Sequence, residues 1–261
     1  MGDLLASALD AYGSVIRGQQ EKGKEHEPTP TEFFVVTLKT LGKASEQSSE
    51  FLINTLRIME AVIPQAAPTI VRSQFGQLSV SLLEIIVQSA DNAQLLRVSL
   101  VALGSLLCAQ DKSEGFWVNV QPLQCLNTIL LMLEDSNTKL RKVAEDQIIR
   151  ILRQHQLSKA KAVRTYVANF CSGVMKSCSR ASYKRSLYVV LFLENALALL
   201  ADDGDKPKKH FEQLLKLVDC GQAVLTAAAL RCIDAYFQSP YLGASNSQIA
   251  ECLNTLIARQ L

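Results

Sequence analysis

Asn92–Cys108 reads NAQLLRVSLVALGSLLC, and Asn137–Arg153 reads NTKLRKVAEDQIIRILR. Laid over each other at a shift of 45 residues, Leu95 meets Leu140, Val98 meets Val143 and Leu103 meets Ile148. Leu106 then meets Ile151, Leu107 meets Leu152, and Arg97 meets Lys142. The apolar positions recur at helical spacing, so each stretch is one amphipathic helix. A further shift of 84 lays Leu140 on Val224, Val143 on Ala227 and Ile149 on Ile233. The chain therefore repeats every 42–45 residues, with two helices in each period. One such hairpin cannot cover its own apolar face, so neighbours must stack into a superhelix.

Working outward, almost every segment reads as amphipathic helix. The predicted fold is all-α, a HEAT-repeat-like α-solenoid of antiparallel helical hairpins. A first helix spans 3–17, with Leu5, Ala8, Leu9, Tyr12 and Ile16 on one stripe. The run 18–28 (GQQEKGKEHEP) has no apolar residue and reads as a flexible polar linker. The superhelix then occupies 29–261, about five hairpins. Its start is a capping box, Thr29-Pro30-Thr31-Glu32, with proline at the first helical position. Helices are expected at about 29–43, 46–63, 69–89, 93–109, 114–134 and 138–153, then at 159–179, 182–201, 206–219, 222–238 and 246–259. Pro122 predicts a kink or late start within 114–134. A second capping box, Ser245 to Gln248, opens the last helix. The stretch 182–201 is apolar nearly all round, which suits an inner-layer helix.

Composition removes several classes. Of 261 residues, 48% are hydrophobic, too many for a disordered chain. The most apolar run, Leu187 to Ala201, is too short to span a bilayer and holds Glu194 and Asn195. The N-terminus has no basic region of the secretory kind, and Ala6 stands where a myristoylation signal wants Ser or Thr. A soluble intracellular protein is expected, with no membrane partner. Seven cysteines, none in a CxxC, and three scattered histidines offer no zinc spacing. Cys171 and Cys178 lie two turns apart on one helix face and read as small buried hydrophobes. No metal and no cofactor is predicted.

Catalytic motifs are missing too: there is no glycine-rich phosphate loop, GxSxG elbow or HExxH. The acidic cluster Asp202-Asp203-Gly204-Asp205 fails the spacing of a prenyl-transfer site and of an EF-hand, and reads as a helix-capping loop. Trp117, the single tryptophan, reads as hairpin core rather than as a partner anchor.

Charge is the informative feature. The whole chain is net +2, but residues 137–190 hold 12 basic side chains against Glu145 and Asp146. Ordinary surfaces mix the two signs. Lys139, Arg141, Lys142, Lys159, Lys161, Arg164, Lys184 and Arg185 are the candidate contacts to RNA or an acidic partner. Basic hairpin ends are expected to line up on one edge of the solenoid, giving salt-dependent attraction for phosphate. Few aromatics interleave, so contacts would go to backbone or shape rather than to stacked bases. Lys206, Lys208, Lys209 and His210 form a second basic run, neutralised by the neighbouring aspartates.

Leu95 to Trp117 (LLRVSLVALGSLLCAQDKSEGFW) resembles a segment in the N-terminal HEAT region of the eukaryotic ribosomal RNA-processing protein twelve family. The shared pattern is L-R-x-x-L-x-x-L-x-x-L-L, then Q-D, then an aromatic pair ending in Trp. Lys139 to Ala144 (KLRKVA), Val189 to Leu200, His210 to Ser239 and Ser247 to Ala258 resemble the following repeats in order. The resemblance implies a non-enzymatic scaffold of the nucleolus and nucleus, shuttling to the cytoplasm. It implies partners among pre-rRNA and pre-ribosomal proteins, with Ran or nucleoporins besides, and no small-molecule substrate. Members are much longer than this chain, which corresponds to an amino-terminal part. No functional residue is carried over; the basic positions come from charge counting.

The first functional reading is a scaffold in ribosome assembly, rRNA processing and subunit export. The second is a transport receptor or adaptor resembling the importin-β class, which would bind Ran or cargo. The positive C-terminal half speaks against basic cargo. The third, a helical prenyl-transfer enzyme, needs paired aspartate motifs that the sequence lacks.

Overall fold

The computed structural model of the chain describes residues 2–20, 26–111, 113–156, 161–200 and 206–238, with Asn254 and Ala258. Among these residues the regular structure is entirely helical. A leading helix α1 (Gly2–Gln19) is followed by five hairpins. These pair α2 (Pro30–Leu41) with α3 (Ser49–Val62), and α4 (Pro68–Ser73) plus α5 (Phe75–Gln88) with α6 (Ala93–Cys108). Next come α7 (Glu114–Trp117) and α8 (Val120–Leu131) with α9 (Thr138–Gln156). Then α10 (Lys161–Lys176) pairs with α11 (Tyr183–Leu200), and α12 (Lys206–Val218) with α13 (Ala223–Gln238).

Two layers result. First helices of each hairpin (α2, α5, α8, α10, α12) make one, and second helices (α3, α6, α9, α11, α13) the other. Helices of the second layer approach each other more closely than those of the first. The second-layer helices begin at residues 49, 93, 138, 183 and 223, so the repeat read from sequence is the repeat of the fold. Hydrogen bonds between hairpins keep the same period. Gln121 Nε2 donates to Ser79 Oγ at 2.8 Å, Arg150 Nη2 to Ser105 Oγ at 2.6 Å, and Ser172 Oγ to Gln213 Oε1 at 2.8 Å.

Local chemistry sets the ends. Glu32 N–H donates to Thr29 Oγ1 at 3.3 Å and Thr29 N–H to Glu32 Oε2 at 2.8 Å, closing the capping box over α2. The hydrogen bonds from Thr29 hold the Glu32 carboxyl below its ordinary range. Asn92 and Asn137 cap equivalent helices: each Oδ1 accepts the backbone N–H of a residue at helical position three, Leu95 at 3.0 Å and Leu140 at 3.4 Å.

Two expected helices are interrupted. The segment 69–89 turns at Gln74, between α4 and α5, so that Val71 and Phe75 both enter the core. The segment 114–134 breaks at Asn119, whose extended backbone starts α8. Pro122 thus falls at the third helical position, where its missing N–H leaves no bond unmade. The expected helix 246–259 and its capping box lie outside the described residues, apart from Asn254 and Ala258.

One core runs the length of the array, from Phe34 through Leu56, Leu103, Ile148 and Leu193 to Ile233. Each such aliphatic side chain contributes about 1.5–3 kcal/mol on burial. α1 joins this core. Tyr12 and Ile16 are buried against α2 and α3, and Tyr12 Oη shares a 2.9 Å hydrogen bond with Thr55 Oγ1. Leu9, expected on the same stripe, stays exposed, because the seam is a single i, i+4 row. Trp117 is fully buried, edge-to-face with Phe116 at 5.3 Å.

Candidate functional site

The hairpins present two edges. Turns within hairpins, with the N-termini of the second-layer helices, form one edge. Connections between hairpins, with the C-termini of those helices, form the other. The basic segment is divided between them. Lys139, Arg141, Lys142, Lys184 and Arg185 lie at the first, near the starts of α9 and α11. Lys161 and Arg164 lie at the second, on the first turn of α10, and Lys159 lies outside the described residues. The expected alignment on a single edge is replaced by two groups, because α9 is 19 residues long. At 1.5 Å per residue its ends are about 28 Å apart.

At the first edge, three of the nominated cations are engaged with the protein itself. Arg141 Nη1 donates to the carbonyl oxygens of Asp135 at 2.7 Å and Ser136 at 2.9 Å, and Nη2 to Thr138 Oγ1 at 3.0 Å. Its guanidinium lies 3.7 Å above the Tyr188 ring of the next hairpin. Arg185 pairs with Glu134, whose side chain is only 10% exposed, and this contact raises the arginine's pKa. Lys142 pairs with Asp146 at 3.2 Å and Glu145 at 3.5 Å. Glu145 also accepts a 2.9 Å hydrogen bond from Asn195 Nδ2 on α11. Arg141, Arg185 and Glu145 thus tie α9 and the turn before it to α11.

Lys139 and Lys184 differ. Both are exposed, both occupy the second position of their helix, and neither side chain has a hydrogen-bond or ion-pair partner among the described residues. Lys176 and Arg180, at the end of α10 and in the turn to α11, are exposed and free in the same sense. The charge count in the sequence included both, and placed Arg180 at this turn with Lys184 and Arg185, but neither is among the candidate contacts. Their signal was the polar turn Ser177–Ser182 (SCSRAS) between two helices.

At the second edge Lys161 is exposed and Arg164 half-buried. Beside them, Glu114 Oε1 accepts the Ala162 backbone N–H at 3.0 Å. Arg150 is held by Ser105, and Arg153 is exposed. The side chains of Lys206, Lys208 and Lys209, and the acidic cluster 202–205, lie outside the described residues. His210 is buried, its Nε2 donating to the Ala168 carbonyl at 2.9 Å.

Cys125, Cys171 and Cys232 are buried in the apolar core. Burial pushes Cys125 up to about 11 and Cys232 to about 12, and raises Cys171 further still. Among the described residues no three metal-ligating side chains come together, and no helix is long and apolar enough to cross a membrane.

The family comparison agrees with this architecture. A family model described as RRP12-like, N-terminal HEAT repeats, matches residues 15–243. The chain is 23% identical over 217 residues to ribosomal RNA-processing protein 12 of Saccharomyces cerevisiae. That alignment covers 74% of this chain and 18% of the yeast protein, so the chain spans less than a fifth of its relative's length. Among solved structures, an engineered protein from a structural genomics consortium aligns with a TM-score of 0.46 at 12% identity, covering 94% of this chain and all of that one.

Proposed function

The chain belongs to the family of RRP12-like N-terminal HEAT repeats, and from that premise we propose that it is a non-enzymatic scaffold in ribosome biogenesis. Its role is to associate with pre-ribosomal particles, through pre-rRNA or their proteins, and to support rRNA processing and nuclear export of the subunits. The observation that carries this reading is the family match over 15–243, which takes in all five described hairpins. The yeast relative, named as an rRNA-processing protein, supports the same direction. An array of stacked hairpins offers a long surface, which suits holding large partners in register.

The place of action is the nucleolus and nucleus, with passage to the cytoplasm. Ran or nucleoporins are further partners of such an exporting scaffold. No membrane and no small-molecule substrate is involved. Gradient sedimentation of nuclear extract tests the reading: the tagged chain migrates with pre-ribosomal particles, and its depletion causes pre-rRNA intermediates to accumulate. A chain that remains at the top of the gradient, and that binds GTP-loaded Ran instead, belongs with the importin-β-like alternative.

A further inference from the structure

The basic segment 137–190 contains two kinds of cation. Arg141, Lys142, Arg150 and Arg185 are spent on the protein's own carboxylates, carbonyls, hydroxyls and an aromatic ring. Lys139, Lys176, Arg180 and Lys184 are exposed and without such partners among the described residues. These four share one edge, on the turns 135–139 and 176–184 of neighbouring hairpins, whereas Arg153, exposed and likewise without a partner among the described residues, stands at the other edge. We propose that these four side chains bind the phosphodiester backbone of RNA along that edge, while the engaged cations hold the edge in shape.

The register supports this. Lys139 and Lys184 occupy equivalent positions, 45 residues apart, on adjacent parallel helices. The two lysines therefore stand side by side at the same edge of neighbouring hairpins. Arg180 and Lys176 extend the row across the α10–α11 turn. Nearby carboxylates are largely committed: Glu134 to Arg185, and Glu145 and Asp146 to Lys142. Asp135 accepts its own turn's Asn137 N–H at 2.7 Å and is the remaining negative group on these turns. Lys176 also lines, with Lys216 and Glu212, the groove between α10 and α12.

Nucleic acid fits this edge better than an acidic peptide does. Residues 135–139 and 176–184 expose no large apolar side chain, and peptide partners need apolar or aromatic anchors. Ser136 is exposed between the cations, a hydroxyl side chain of the kind that contacts phosphate and sugar, while the hydroxyls of Thr138, Ser177 and Ser179 are bonded within the edge itself. No aromatic ring is exposed there for base stacking, so recognition goes to the backbone, without sequence preference.

This inference rests on the ribosome-assembly reading but fails separately from it. The test is fluorescence anisotropy of a labelled RNA hairpin across a potassium chloride series, using the full chain. The quadruple variant K139A/K176A/R180A/K184A is expected to keep its helicity and Tm and to lose about three from the slope of log affinity against log salt, at roughly 0.7–0.9 per phosphate contact. The milder K139Q/K184Q is expected to lose between about one and two. R141A/R185A is expected to melt earlier with an unchanged slope. A wild-type slope in the quadruple variant, no RNA binding at low salt, or equal binding of poly-glutamate overturns the proposal. If particle association in the gradient survives such a result, the function stands and only this edge assignment falls.

Discussion

Two junctions along the array are built differently. Between α6 and α9 the helices are in close contact, and Gly104 lies directly against Gln147: a Cβ there would stand 2.9 Å from Gln147 Cγ and 3.0 Å from its Cβ. Leu103, Leu106, Ile148 and Ile151 are fully buried at this contact. Between α9 and α11 the helices pack less closely. There the link is supplemented by the Arg141–Tyr188 stack, the Arg185–Glu134 pair and the Glu145–Asn195 hydrogen bond. Long cationic side chains bridge where apolar side chains meet less closely. Part of the charge in 137–190 therefore belongs to the scaffold, and only the remainder is available to a partner.

This contrast predicts a graded set of mutational effects. Leu103→Ala, in the tight junction, is expected to lower stability by about 2–5 kcal/mol, read by urea denaturation. A smaller loss breaks the claim of close packing there. Gly104→Ala gains helix propensity but forces Gln147 aside, with a net destabilisation of about 1–2 kcal/mol. Gln147→Ala in the same chain is expected to recover most of it, and no recovery would place the strain elsewhere. In the bridged junction, Arg141→Ala removes three hydrogen bonds and a cation–π contact, an effect of about 1–2 kcal/mol. Arg185→Ala is expected to lower stability by about 0.2–1 kcal/mol, since the arginine is more than half exposed. If Arg185→Ala exceeded Leu103→Ala, the comparison would be inverted. Lys139→Ala sits at the bottom, within about 0.5 kcal/mol of wild type.

The sequence carried the architecture because apolar periodicity and the 45-residue shift are both local signals. Leu95, Leu140 and their equivalents in neighbouring helices had only to be counted. The breaks at Gln74 and Asn119 were hidden, since each is a single residue inside a continuous apolar pattern. Pro122 pointed to the right region but sits just inside the new helix, not at the break. The candidate site was legible as an excess of charge and illegible as a surface. Arg141 meets Tyr188, and Glu134 meets Arg185, one repeat further along the chain. Composition counts such cations as free; only the repeat register shows which acid or ring lies opposite. The same length of helix that makes α9 a good repeat element also carries its basic residues to opposite edges.

The most direct test places two substitutions side by side, with Tm and the RNA salt slope measured on each. Arg141→Lys keeps the charge but loses the planar guanidinium that reaches two carbonyls and stacks on Tyr188. Lys184→Gln removes one exposed charge and no contact. The account predicts a lowered Tm with an unchanged slope for Arg141→Lys, and an unchanged Tm with a slope shallower by about one for Lys184→Gln. A harmless Arg141→Lys together with a destabilising Lys184→Gln would contradict the division of the basic segment into cations that hold the solenoid and cations that meet its partner.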